Sequence, residues 1–277
     1  SFASVQFLLL IAAYYSLNNN FSPSYSAYTL NEFTNIFKFI LLVGSLTIFH
    51  YTYKHLKFLK ILKIEYFTIS LLGLIGTMIM ISANSLLMLY LGIELLTLSL
   101  YAVIGFNKKS SLSSEAAIKY YVLGAMSSGI LLFGISLIYG FTGSIAYDDI
   151  ASQLINVDMN SVDYIAIIFG IIFITASLCF KFGAAPFHMW VPDIYQGSLI
   201  STTILLSTLP KIAVFIVFLK LYFIPFILYR EVWSDILIFV GMLSIVIGSL
   251  FALTQENIKR LLAYSAISNI GFIILSL

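Results

Sequence analysis

Three ionisable side chains of this 277-residue chain, Glu94, Lys181 and Lys211, fall inside long apolar runs. An ionisable group at the centre of a hydrocarbon-spanning helix costs about 2.5–3.5 kcal/mol on insertion scales, which makes each a candidate for function. Glu94 stands in Leu89-Tyr-Leu-Gly-Ile-Glu94-Leu-Leu-Thr-Leu-Ser-Leu-Tyr101. There Tyr90, Glu94, Thr97 and Tyr101 recur at spacings of four, three and four, so they share one helical face. Such a stripe faces protein or water, not lipid. Lys181 precedes Gly183 and Pro186 in Cys179-Phe-Lys181-Phe-Gly-Ala-Ala-Pro186-Phe-His188. Proline removes an amide donor and clashes with the preceding turn, so a helix break is expected there. Broken backbone at membrane depth is tolerated only where it lines a protein-enclosed or watered cavity, and a lysine beside it is a construction used for ion sites in transporters. Lys211 follows Pro210 and shares a face with Thr203 and Ser207.

The chemistry such groups offer is reversible proton holding. Burial and a mobile anionic neighbour act in opposite senses on a lysine, so moving one partner switches its proton affinity. Plainer readings stand beside this one. Glu94 could be a neutral carboxyl bonded between helices, and Lys181 could be a lysine snorkelling from a helix end. Lys220, nine residues beyond Lys211, reads as a snorkelling side chain. His188 could hand on protons, since imidazole titrates near neutrality, or could cap the broken helix. In the last span Ser265, Ser268 and Asn269 form a polar face that could hold water or serve as interhelical glue.

The elements that must position these residues are membrane helices. The chain is 61% hydrophobic and 9% charged, with a mean hydropathy of +1.03, whereas a soluble domain carries about 25% charged residues. Apolar stretches of spanning length fall at 2–17, 36–53, 64–83, 85–106, 117–141, 162–189, 198–220, 234–253 and 260–277. This gives an all-α fold of about nine crossings, the sixth broken and the third and fourth joined by a tight turn at Ser82-Ala83-Asn84. Alternation puts Lys54, Lys57, Lys60, Lys63, Lys108, Lys109, Lys119, Lys259 and Arg260 on one face. The other face holds Lys220 and Arg230 with Asp148, Asp149, Asp158, Asp163, Glu231 and Asp235. The excess of Lys and Arg marks the inner, cytoplasmic or matrix, side. The Lys54 to Lys63 run could be an amphipathic surface helix, or a set of anchors at the membrane edge.

Other chemistry finds no support. One cysteine, Cys179, offers no disulfide framework or metal cluster, and no basic stripe suits nucleic acid. P-loop and dinucleotide-binding signatures are missing, so neither a cofactor nor a metal is expected in this chain. Abundant Phe (24) and Tyr (18), with frequent Asn and Ile, are a bias associated with AT-rich organelle genomes. With no leader pattern before the first span, that bias leads to the expectation of an organelle-encoded protein of the mitochondrial inner membrane.

The segments Tyr90-Leu-Gly-Ile-Glu94-Leu-Leu, Glu115-Ala-Ala-Ile-Lys-Tyr-Tyr-Val-Leu-Gly124, Pro186-Phe-His-Met-Trp-Val-Pro-Asp-Ile-Tyr-Gln-Gly197 and Asn257-Ile-Lys-Arg-Leu-Leu-Ala-Tyr-Ser-Ala-Ile-Ser together resemble the antiporter-like membrane subunits of respiratory complex I. Tyr195-Gln-Gly197 is similar to the subunit 2 branch of that family. The resemblance covers roughly 64–277 and implies fourteen helices with two inverted five-helix repeats. By that likeness 1–63 holds the N-terminal helices and a basic loop, 64–220 the first repeat, and 221–277 the start of a second. It also implies that Glu94 pairs with Lys181, that Lys211 is the neighbouring central lysine, and that an exit lysine lies on a later helix. A histidine common on the tenth helix is replaced here by Asn269, which cannot titrate. The implied activity is proton translocation coupled to quinone reduction, with NADH, FMN, iron–sulfur clusters and ubiquinone in other subunits. The implied partners are other membrane-arm subunits, membrane lipids and a separate polypeptide carrying the remaining helices, because the start at Ser1 and the stop at Leu277 suggest a fragment or split form. A cation/proton antiporter or hydrogenase membrane subunit, and a non-pumping scaffold, are the rival readings.

Overall fold

A computed structural model describes residues 2–18, 27–155, 157 and 161–277 of the chain; Asp158, counted above on the acidic face, lies outside the described residues. The chain folds as helices α1 (Phe2–Asn18), α2 (Glu32–Phe58), α3 (Ile64–Ser82), α4 (Leu86–Ile104), α5 (Ser111–Thr142), α6 (Tyr147–Leu154), α7 (Val162–Phe182), α8 (Trp190–Gly197), α9 (Ile200–Phe223), α10 (Arg230–Leu253) and α11 (Ile258–Leu275). Among the described residues eight helices are long and apolar enough to cross a membrane: α2, α3, α4, α5, α7, α9, α10 and α11. The first expected crossing, α1, has 17 residues, the lower limit for a span.

Boundaries shift in ways that local chemistry explains. The lysine run from Lys54 does not make a separate surface helix. Lys54 and Lys57 lie in the last turns of α2, where cations suit the C-terminal carbonyl groups, and Lys60 takes a left-handed φ of 57° in the connection. At the start of α5 the Ser110 hydroxyl accepts from the Ser113 amide at 3.3 Å, an N-cap that begins this helix before the expected apolar run. Helix α6, unforeseen from the apolar pattern, is short and buries Tyr147, Ile150 and Leu154 along one face.

Helix pairs approach through small residues. A Cβ on Gly76 would lie 2.7 Å from the Leu96 amide nitrogen, and one on Gly92 would lie 2.9 Å from that of Met80. Glycine on both partners therefore sets the α3–α4 separation, the device by which membrane helices gain packing contact without a hydrophobic driving force. The α10–α11 hairpin repeats it, since a Cβ on Gly248 would meet the Ser268 nitrogen at 2.5 Å.

Lys220 does not snorkel. It is 8% exposed and donates to the carbonyl oxygens of Ile81 (3.2 Å) and Ala83 and to the Thr29 hydroxyl (3.1 Å). The last carbonyl groups of a helix lack intrahelical donors, and the ammonium of α9 supplies them where α3 stops and α4 starts. Replacing Gly92 by Leu should force α3 and α4 apart. The expected result is a thermal midpoint lowered by several degrees, or loss of the folded protein, measured by thermal unfolding in detergent.

Candidate functional site

The break after α7 finds partners for several of the backbone groups it frees. Gly183 takes a φ of +82°, the left-handed helix end that glycine reaches without strain. Its amide donates to the carbonyls of Cys179 and Phe180, both at 2.9 Å, and the Ala184 amide donates to Cys179 at 2.9 Å. The Ala185–Pro186 peptide is cis. The Ala185 amide donates to the Ser244 hydroxyl of α10 at 2.8 Å, and the Trp190 indole donates to the Phe180 carbonyl at 3.0 Å. The helix resumes at Trp190 as α8. Gly183 and Pro186 therefore sit where the sequence placed the interruption.

Lys181, in the last turn of α7, is 8% exposed and donates to the Ser128 hydroxyl of α5 at 3.3 Å. Glu94 of α4 is within electrostatic reach of it. Among the described residues the two form no ion pair within 4.0 Å. Glu94 Oε1 is buried without a hydrogen-bond partner, a condition that a water or a shift toward Lys181 would relieve. The stripe on α4 faces protein as its spacing implied: Thr97 is buried, its hydroxyl donating to the Glu94 carbonyl at 3.2 Å, and the Tyr101 ring packs on Tyr120 and Tyr121 at 5.2 and 5.4 Å. Between α5 and α7 runs a serine seam, with Ser127 and Ser177 hydroxyls 3.0 Å apart.

Lys211 faces a different wall. Its ammonium lies 5.8 Å from the centroid of the Tyr195 ring of α8, a cation–π arrangement, and the Tyr195 hydroxyl is buried without a partner. The inner half of α9 continues this polar character. Ser201 lies 3.4 Å from His55 Nδ1, Thr202 lies 3.1 Å from the Tyr66 hydroxyl, and Ser198 lies 2.9 Å from Thr203. A cavity of about 330 Å³ bounded by His55, Asn107, Ser113, Ser198 and Lys259 opens beside this stretch.

Two residues that carry part of the site, Asp193 and Gln196, were quoted above only within a motif, and Lys119, Lys259 and Arg260 only within motifs and as charges on one face. Asp193 of α8 accepts from Lys119 of α5 and from Arg260 of α11, both at 2.9 Å, and Arg260 also donates to Gln196 at 2.9 Å. Lys259 donates to the Ser198 carbonyl at 2.7 Å. The half-helix after the break is thereby held from two sides. Only the Glu115–Lys119 pair at four-residue spacing (2.8 Å) was readable as a contact in sequence.

His188 is half-buried beside the break, its Nδ1 without a partner, with its ring 6.5 Å from that of Tyr264. Ser265 and Asn269 lie on the exposed side of α11. The structure does not bring them to the lysines.

A bundle of helices long and apolar enough to cross a membrane, one of them ending at a break beside a buried lysine, defines a polytopic membrane protein. The chain belongs to the NADH:quinone oxidoreductase/Mrp antiporter transmembrane family, whose model matches residues 83–277. It is 39% identical over 282 residues to NADH-quinone oxidoreductase subunit N of Hydrogenovibrio crunogenus, covering all of this chain and 58% of that protein. It is 43% identical over 249 residues to the subunit N of Ruthia magnifica, covering 90% and 51%. A chain of respiratory complex I from Thermus thermophilus with bound aureothin matches with a TM-score of 0.76 at 26% identity, over 99% of this chain and 56% of that one. The fold is shared with a chain of the Mrp complex from Dietzia, with a TM-score of 0.80 at 19% identity over 99% and 52%. The chain spans about half the length of the curated relatives it matches. Those relatives are bacterial, and they lend no support to the mitochondrial, organelle-encoded expectation.

The clamp on α8 yields a measurable outcome. Each of its ion pairs is partly exposed and contributes no more than about 1 kcal/mol, so Asp193→Ala should leave the fold intact but loosen one element. Hydrogen exchange should accelerate in Trp190–Gly197, with the protection of α3 and α4 unchanged.

Proposed function

We propose that this chain is part of a subunit N of NADH-quinone oxidoreductase and moves protons across a coupling membrane through Glu94, Lys181 and Lys211. The observation that carries this reading is the placement of Lys181 at a helix break within electrostatic reach of a Glu94 oxygen that has no partner. Identity near 40% to subunit N proteins over most of the chain and the likeness to a complex I chain support it. In this reading 64–220 form the first five-helix repeat. The α10–α11 hairpin, packed through glycine as α3–α4 is but running in the opposite sense, opens the second.

A proton from the inner face reaches Lys211 along the hydroxyl-lined half of α9, with Lys181 as its neighbour in the relay. Electron transfer takes place in other subunits, which hold NADH, FMN, iron–sulfur clusters and ubiquinone. Its electrostatic consequence is closure or opening of the Glu94–Lys181 pair, which changes how tightly Lys181 holds its proton. Moving one charge against the membrane potential costs about 2.3 kcal/mol per 100 mV. A hundredfold change in proton affinity supplies about 2.7 kcal/mol, which is of matching size. His188, with its unpartnered nitrogen, is a candidate for the lateral step. The exit lysine, and the helices that would cover α10 and α11, would come from outside these 277 residues, on a separate polypeptide or on the rest of a longer one. Other membrane-arm subunits complete the partners. The mitochondrial inner membrane as the particular location rests on composition alone.

The test is the proton-to-electron ratio of the reconstituted complex. Lys181→Met should lower it while NADH oxidation continues or slows, and Lys211→Met should do the same. A ratio unchanged by both would remove the relay. The family also includes Mrp antiporters, and sodium-dependent proton exchange without quinone or NADH would select that second reading.

A further inference from the structure

Helix α9 is polar on one side of Lys211 and apolar on the other. Towards the inner face it carries Ser201, Thr202, Thr203, Ser207 and Thr208. Towards the outer face the next nine residues, about 13 Å of helix, bring Ala213, Val214, Ile216, Val217 and Phe218, each at most 1% exposed. Phe182 of α7 closes on Phe218 at 5.8 Å between ring centroids. Hydroxyls on the helices packed against α9 donate back to their own backbones: Ser45 to Leu42 (2.7 Å), Thr77 to Leu74 (2.6 Å) and Thr175 to Ile171 (2.7 Å), the last also accepting from the Tyr222 hydroxyl of α9 at 2.8 Å. The apolar stretch ends at Lys220. All three ammonium protons of that side chain are committed, to Ile81, Ala83 and Thr29.

Two further charges act on Lys220. Lys38 of α2 is itself 8% exposed and bonded to the Tyr28 hydroxyl at 3.2 Å. Asp148 of α6 is bonded to Asn84 at 3.4 Å. The Ser82 hydroxyl nearby in sequence is buried without a partner.

We propose that Lys220 is a fixed positive barrier that closes the outer end of this helix bundle to protons, so that Lys211 is reached from the inner face only. An ammonium has no acceptor site, and with each of its protons held by a fixed acceptor it has none to hand to a chain of waters. Its charge, held among buried groups, repels an approaching proton more strongly than it would in water, as a cation in a narrow pore excludes protons. Lys38 adds to the repulsion and Asp148 offsets part of it. The inference rests on the reading of Lys211 as a proton site.

The experiment measures passive proton permeability of proteoliposomes containing the whole complex, with an imposed pH gradient and no substrate. Lys220→Gln keeps hydrogen-bond donors but removes the charge, so it tests the barrier apart from the fold. It should raise the complex-dependent leak several-fold. Lys220→Arg should stay as tight as the unaltered complex, and Lys220→Gln combined with Lys211→Met should return the leak to baseline. A tight Lys220→Gln complex, a leak equal in Lys220→Arg, or a leak indifferent to Lys211→Met would each overturn the barrier. If Lys211→Met alone leaves pumping intact, the reading of Lys211 falls. If pumping is lost in Lys211→Met while Lys220→Gln stays tight, the barrier alone falls.

Discussion

Hydrocarbon offers no water to an unpaired backbone group, and this one constraint organises the structure. Wherever a helix stops inside the protein, something must receive its amides and carbonyls. At the α7 break the receivers are Ser244 from α10, the Trp190 indole and the left-handed turn at Gly183. At the α3–α4 turn the receiver is Lys220 from α9. Each interruption is therefore tied to a different helix of the bundle, and the interruptions become joints between helices.

Those joints also sort the buried charges by task. Lys220 has its donors engaged with fixed acceptors, the Ile81 and Ala83 carbonyls and the Thr29 hydroxyl. Lys181 has one hydroxyl neighbour at 3.3 Å and an anionic group within reach but not in contact. Lys211 has an aromatic face. Committed donors hold a charge in place, whereas loosely held ones can change their proton when a neighbour moves. Three lysines in similar apolar sequence thus differ in what surrounds them.

Much of this was legible in the residues. The apolar runs located the spans, Gly183 and Pro186 located the break, and the spacing of Tyr90, Glu94, Thr97 and Tyr101 put one stripe on a protein-facing side. Other features were hidden because they depend on contacts distant in sequence. The Asp193 carboxylate meets Lys119 and Arg260 from helices 74 and 67 residues away. Lys220 looked like an edge lysine because its acceptors are backbone carbonyls 137 and 139 residues back, and a carbonyl carries no mark in a sequence. Short α6 was missed since eight residues cannot form a spanning run, and its start is fixed by backbone bonds to the α3–α4 turn, Tyr147 to Asn84 and Leu86 to Ile145.

By itself the sequence determined which stretches must leave water, where a helix could not continue, and which side of the membrane carries the basic loops. Those follow from transfer cost, from the missing amide of proline and from the charge of Lys and Arg, all properties of residues or short segments. The tertiary structure alone decided which buried charges are bonded, which are left without a close partner and which side chains of α9 neighbouring helices cover. Each of those depends on what a different helix presents across a gap of a few ångströms.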